Sequence, residues 1–457
     1  MKRSCGGAPV LIVAIALVAM QLLSTSASGF TVYGNPGLLS PGQAPNEPID
    51  FLGEQLDPRL DIDGFMRYQV LGYRLDNNDN GVMVPELDLD ANLQLTATQR
   101  IHALFRPIEG GDREPTEWQF APDNHGWTAR NMAEPAELFY EGQPLNWISP
   151  HDRYALDFTL SGGRVPLYLQ NGLWFDNIFD GAIISKDSIQ LGNLSNLNLF
   201  GFITHGETEG GLSSLDRQQE RKKLTGLAGD ADWYNYFLEF GWATAYDNGH
   251  VHLAGIDYDL DRSFWAMSAT RTFGVSGAVS LRALGSTGNG SRGGGELFAL
   301  ETQKRFWGVI GYANFFGATR DWLPASTQGA PLSREGILFT FDRLAAFPQL
   351  NANGADTIGG AAGVIFKPRG VVTYTPEVGW LYDHSTQANH QVGAALQIQA
   401  DLASLLIPAN TITDIARRGI LYGAFARLTF AGLRNDNTEV AKDRFDYGSK
   451  LELIYKF

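Results

Sequence analysis

The sequence predicts an all-β chain, a transmembrane antiparallel up-and-down β-barrel of about 18 strands, with about 16 as the alternative. Three observations carry this expectation. Apolar and polar side chains alternate over long stretches. The chain opens on a short apolar run with the layout of a secretory leader. No later stretch reaches the ~18 consecutive apolar residues of a spanning helix, whereas barrel strands cross with about 9–11.

The leader comes first. Lys2 and Arg3 precede an apolar run from Ala8 to Leu23 broken only by Gln21, and small residues follow from Ser24 to Ser28. Residues 1–28 therefore read as a signal peptide, cut after Ser26, Ala27 or Ser28. The alternative is an uncleaved anchor, for which the run is short. Cys5 is the one cysteine of the chain and precedes the apolar run, so it is not placed to be a lipoprotein's acylated residue. It leaves with the leader, and the exported chain needs some device other than a disulfide to hold it together. Residues 29–60, with a proline-rich stretch from Pro36 to Pro58, read as an extended N-terminal segment, and 61–457 as the barrel, since no linker divides them. The net charge of −15 makes the chain a poor candidate for nucleic-acid binding, which requires clustered cations.

Alternation is clearest from Leu87 to Phe105. Leu87, Leu89, Ala91, Leu93, Leu95, Ala97, Ile101, Ala103 and Phe105 share one face; Asp88, Asp90, Asn92, Gln94, Arg100 and His102 share the other. Side chains alternate across a strand, so one face meets an apolar medium and the other meets water. The same pattern recurs at Tyr154–Ser161, Tyr234–Trp242, Val392–Asp401 and Ile420–Phe430, separated by turns such as Asp76–Gly81, Ser286–Gly295 and Asn351–Asp356. Trp233, Trp242, Trp307, Trp322 and Trp380 stand near segment ends, as an interfacial aromatic girdle requires. Strand parity counted back from the C-terminus places Asp321–Glu335 and Ser404–Arg418 on the side expected to carry short turns, although both are long. Leu402–Ile415 has the composition of a short helix, with Pro408 as an interruption.

The last strand ends at Phe457, with Ser449, Leu451, Leu453 and Tyr455 on its face. That ending resembles the C-terminal signature of bacterial outer-membrane proteins. The resemblance implies an outer-membrane location, contact with lipid and lipopolysaccharide, and recognition of Phe457 by the assembly machinery.

A barrel this wide leaves room for an aqueous lumen. The expected function is a porin-like channel for passive diffusion, without cofactor or covalent chemistry. Parity assigns Asp88, Asp90, Arg100, Asp157, Glu239, Asp257, Asp259, Arg282, Glu377, Asp401, Arg427, Lys450, Glu452 and Lys456 to the inner wall, where charged rings set ion selectivity. The bland alternative for each is a solvated wall residue or a cross-strand ion pair. Between Ser161 and Ile189 a strand breaks into Pro166, Gly172 and a run of aromatics before resuming near Phe179. Folded inward, Leu167–Phe179 would narrow the bore, with Gln170, Trp174, Asp176 and Asp180 as constriction residues and Arg164 as a solute-contacting cation. Gly163, Arg164, Phe179, Asp180, Gly181 and Ala182 resemble a stretch of the alginate-export family of outer-membrane channels. That resemblance implies an 18-strand barrel passing a polyanionic sugar along an arginine-lined pore; the mixed acids and bases inferred here depart from it.

Other stretches carry less. Asp76, Asn78 and Asn80 match the first half of a calcium loop, but Leu87 stands where the bidentate Glu belongs, so a plain hairpin turn competes with a divalent-ion site. His250 and His252 share a strand face without a third metal ligand nearby, and Gln218–Lys223 is a charge run, either a solvated loop or a cationic rim. No nucleophile elbow, P-loop or dinucleotide fingerprint occurs. Two further readings stay open, a plugged structural or adhesive barrel and a barrel enzyme, as do a monomer and a homotrimer.

Overall fold

The computed structural model describes residues 49–51, 54–56 and 58–457, less 76–77, 109–115, 122–123, 129–134, 145–157, 208–222, 247–249, 254–255, 260–261, 289–293, 328–330, 341–346, 352–353, 369, 385–388, 407–422 and 437–443. The leader, residues 29–48, Asp76, Asp157 and most of the charge run at 218–223 lie outside them.

Eighteen antiparallel strands close into a barrel, each beside its sequence neighbour. They are β1 (Arg59–Leu75), β2 (Asn78–Gln94), β3 (Gln99–Phe105), β4 (Pro135–Gly142), β5 (Phe158–Leu169), β6 (Phe175–Leu191), β7 (Leu194–Glu207), β8 (Lys223–Trp233) and β9 (Tyr236–Tyr246). The second half comprises β10 (Arg262–Thr272), β11 (Gly277–Gly288), β12 (Gly295–Phe306), β13 (Val309–Ala318), β14 (Thr357–Phe366), β15 (Val372–Asp383), β16 (Asn389–Asp401), β17 (Ala424–Asp436) and β18 (Arg444–Lys456). β18 pairs with β1 from Tyr447 opposite Arg74 to Lys456 opposite Phe65. Gly64 and Phe457 then exchange two backbone hydrogen bonds of 3.0 Å, so the C-terminal residue is the last rung of the closing ladder.

Residues opposite one another in a ladder point to the same face. Along β9, Leu238, Phe240 and Trp242 therefore face outward, and Trp242 and Phe240 are exposed; Glu239, Ala243 and Ala245 face inward. Leu227, Met267, Leu281, Phe298, Val378 and Val392 extend the exposed apolar belt around the outside. Turns of two residues follow β6, β8 and β12. In the last, Trp307 (φ 45°) and Gly308 (φ 86°) both take positive φ, as a tight hairpin twisted with its strands requires. Trp233, Tyr234 and Tyr236 cluster edge-on and tilted at this short-turn end, and Arg271 and Lys304 lie over Phe273 and Phe306.

Two expectations need correction here. Leu87–Phe105 is not one strand. It divides into β2 and β3 at a turn spanning Leu95–Thr98, where Leu95 and Thr96 N–H donate to the Gln99 carbonyl. The turn consumes an even number of residues, so the alternation keeps its phase and conceals the break. Asp321–Glu335 belongs to the connection between β13 and β14, at the long-loop end; only the 401–424 connection lies at the short-turn end. That connection begins with a helix, Leu402–Leu406, and Asp401 accepts from the Ser404 N–H and hydroxyl at its start.

The long-loop half of the interior is filled. Beyond Arg164 and Phe179 the β5–β6 hairpin has no ladder to β4 or β7 among the described residues, and it bends into the lumen. A second segment, 319–356, is tied at its base by the Asp356 N–H to the Thr319 carbonyl, and its described residues Trp322, Leu332, Leu338, Phe339 and Leu350 pack inside. Ser326 and Thr327 run parallel to Phe175 and Asp176, joining the two. Small inward residues of the wall, among them Ala228, Ala243, Ala266, Ala299, Ala361 and Ala395, make room for Trp174, Phe175, Phe179, Trp322, Leu338, Phe339 and Leu350 in one apolar cluster.

Candidate functional site

The interior thus has two tiers: an apolar one at the long-loop end, and a charged one toward the short turns. The inserted hairpin forms the boundary between them. Its tip is a 3-10 turn, Gln170–Gly172. Gln170 accepts from Arg282 on β11 at 3.2 Å, and Asn171 donates to Glu301 on β12 at 3.0 Å. Trp174 is fully buried against Gly241 on β9, where even a Cβ would stand 2.2 Å from the indole. Tyr168 hydrogen-bonds Asn171 at 2.9 Å, and the Arg334 guanidinium lies 4.4 Å over its ring and 3.3 Å from Asp176. Gly172, Tyr168, Asp176 and Arg334 therefore form one polar lip.

The second inserted segment is held by side chains of the wall. The Glu377 carboxylate on β15 accepts from the Ile337 N–H at 2.8 Å and the Leu338 N–H at 2.7 Å, and also from the Tyr312 hydroxyl. Asn314 donates to the Glu335 carbonyl at 2.9 Å, and Gln391 accepts from the Asn351 N–H at 2.9 Å. Glu335 itself is fully buried and neither carboxyl oxygen has a hydrogen-bond partner. Burial, and then the nearby Glu301, push its carboxyl up to about 8, against an opposing pull from Arg282.

The inward charges gather on opposite walls. On β9–β12, Arg282 is nearly buried between Glu239 (2.8 Å) and Glu301 (3.0 Å). Half the circumference away, Arg67 pairs with Glu86 and lies 3.5 Å from Glu452; Arg427 and Lys450 approach the same Glu452 at 3.6 and 3.9 Å. Alongside, Asp88 meets Arg106 at 3.5 Å, Asp90 meets His102 at 3.4 Å, and Arg100 pairs with Glu141. The structure therefore gathers Arg427, Lys450 and Glu452, sets Arg282 opposite them, and places Asp88, Asp90 and Arg100 as a separate row.

Three expected site residues stand elsewhere. Arg164 pairs in the ladder with Leu138, which is 47 % exposed on the outer face, and with Asp180 on the other side. Arg164 and Asp180 are thus outward-facing, 3.5 Å apart, and neither lines the lumen. Trp174 is enclosed in the apolar cluster rather than bared to a bore. Of the constriction set, Gln170 and Asp176 are the ones in polar contact with the wall or the lip. Arg334 and Glu335 carried no signal in the sequence, because their segment has no strand period to assign a face. Asn78 and Asn80 sit in the tight β1–β2 hairpin, with Asn80 donating to the Asn78 carbonyl; Asp76 is outside the described residues. Among the described residues no group of three metal-ligating side chains occurs.

No family model matches the sequence, and no curated protein does. Solved structures do resemble the fold. A BenF-like porin from Pseudomonas fluorescens Pf-5 superposes with a TM-score of 0.56 at 11 % identity, covering 87 % of this chain and 98 % of that one. Acinetobacter baumannii OccAB3 gives 0.52 at 10 % identity over 87 % and 99 %. Pseudomonas aeruginosa OccK2 (OpdF), in complex with glucuronate, gives 0.51 at 11 % over 87 % and 96 %. What this chain shares with those porins is the closed barrel of eighteen antiparallel strands.

Proposed function

We propose that the chain is an outer-membrane channel for passive diffusion of small polar solutes, narrowed by its two inserted segments. The observation that carries this reading is the charged tier: a wide barrel whose inner wall holds Arg67, Arg427 and Lys450 opposite Glu239 and Glu301. Ion-pair networks whose members stay part-exposed, as Arg67, Arg427, Glu239 and Glu301 do, belong in a solvated lumen rather than a dry one. Opposed charges across a narrow passage orient a dipolar solute, so small solutes carrying both an acidic and a basic or hydroxyl group fit best. The porin likeness of the fold supports the reading. The exposed apolar belt and the aromatic cluster at the short-turn end support the membrane location. Nothing favours export of an anionic polymer: the arginine of the resembling motif faces outward, and the upper tier is packed.

The test is reconstitution in planar bilayers. Discrete conductance steps are expected, and deletion of Gln170–Asn177 is expected to enlarge them. Arg282→Gln leaves Glu239 and Glu301 without their shared cation, so the reversal potential in a salt gradient is expected to move toward cation preference. An unmoved potential would remove Arg282 from the conduction path.

The apolar upper tier favours one second reading, a plugged structural barrel. Absence of conductance from correctly folded protein, before and after the deletion, would select it.

A further inference from the structure

A barrel strand that folds inward leaves a slit behind. The β4–β5 ladder stops at Leu138 opposite Arg164, and the β6–β7 ladder stops at Phe179 opposite Glu207. The β5–β6 ladder continues beyond both, to Leu169 opposite Phe175. The hairpin therefore departs from the wall just past Arg164 on one strand and at Phe179 on the other, next to the ladder irregularity between Asp180 and Gly181. Gly163 and Gly181 are both required there. Gly163 has φ 127°, and a Cβ on it would stand 2.5 Å from the Leu138 carbonyl oxygen; one on Gly181 would stand 2.3 Å from that of Ile203.

The slit opens on the outer face as a crevice of about 460 Å³, lined by Pro135, Leu138, Gly163, Arg164, Asp180 and Gly181. A strand edge facing lipid needs every backbone group satisfied. Pro135 meets this partly by having no N–H. Its carbonyl accepts from the Arg164 guanidinium at 2.8 Å, in the place a neighbouring strand would have donated. The Asp180 carboxylate, 3.5 Å from Arg164 Nε, steadies the guanidinium from the other lip.

We propose that Arg164, steadied by Asp180, seals this slit and so keeps the β5–β6 hairpin inside the barrel. This deepens the channel reading and rests on it: Arg164 is a positioning residue that sets the constriction from outside, without touching solute. The Gly-Arg and Phe-Asp-Gly-Ala stretches are then the two lips of a hinge.

The test reports hairpin position directly. Asn177 donates to Ser326 at 2.9 Å across the two inserted segments, so Asn177→Cys with Ser326→Cys forms a disulfide when the hairpin is seated. With Arg164→Ala the cross-link yield is expected to fall several-fold and conductance to rise, while Arg164→Lys, which keeps a donor for Pro135, restores both. Should Arg164→Ala fail to assemble, Asp180→Asn carries the same test, with a fall in cross-linking as the expected result. Full cross-linking and unchanged conductance in these variants would overturn the seal, as would a loss confined to the barrel's resistance to SDS, which marks a merely structural arginine. A barrel that never conducts, yet whose cross-link depends on Arg164, would sink the channel reading and leave the seal standing.

Discussion

Raising the pH from about 5 to about 9 is expected to enlarge the single-channel conductance, and Glu335→Gln is expected to abolish that response. Glu335 sits in segment 319–356, buried, with both carboxyl oxygens unpartnered. Docked, it titrates near 8; released to water it returns to the ordinary carboxylate value of 4.5. The docked state thus holds a proton that the released state gives up. Its stability is full below pH 4.5, declines by about 1.4 kcal/mol per pH unit above that, and has lost this contribution by about 8. The groups that face Glu335 set the size of the effect: Glu301 on β12 adds to it and Arg282 on β11 opposes it. Glu377, engaged by the neighbouring Ile337 and Leu338 N–H groups, is what the alkaline penalty works against. Glu335→Gln removes the charge at every pH, so its conductance should stay at the acid level. A pH response equal in the two proteins would show that Glu335 does not control the docking of this segment.

The second large effect is expected from Trp174→Ala. The indole is wholly enclosed, with its ring edge on Phe175 at 4.8 Å and its flank on Gly241. Emptying a site of that size costs about 3–5 kcal/mol when the surroundings cannot collapse. The loss falls on the seating of the hairpin, since β5 and β6 keep their wall ladders below Gly163 and Gly181. Larger, noisier conductance steps are expected from a barrel that still resists SDS. Quiet steps of the original size would mean that the hairpin does not narrow the passage.

Much of the barrel was legible because lipid and water impose opposite chemistry on the two faces of a strand. The stretches Tyr236–Trp242 of β9 and Ser449–Lys456 of β18 could be assigned from period two alone. The signal weakens where the inner face is itself apolar. Leu224, Ala228, Ala243 and Ala266 point inward yet read as core, because the medium they meet is the inserted protein rather than water. The bend at Gly163 explains the misplaced arginine: the sequence shows an irregular stretch after a strand, and only the ladder partners Leu138 and Asp180 fix which way Arg164 points. Trp174 was visible as part of that stretch, but an aromatic beside a glycine does not declare whether it lines a space or fills one. Arg334 and Glu335 were invisible, since a loop gains its contacts from tertiary folding and carries no period.

The joint between the first and last strands has a kinetic corollary. Arg67 and Glu452 are 385 residues apart in the chain, and their ladder, which runs from Tyr447 to Lys456, cannot be completed before the last strand has been delivered. Until then the nascent sheet is an open ribbon with two raw margins, each a template for the wrong neighbour. Such long-separation pairing is slow. Completion of the cylinder is therefore the late event of its biogenesis, and a chain cut short near its end should accumulate as aggregate or be degraded rather than persist as a smaller pore.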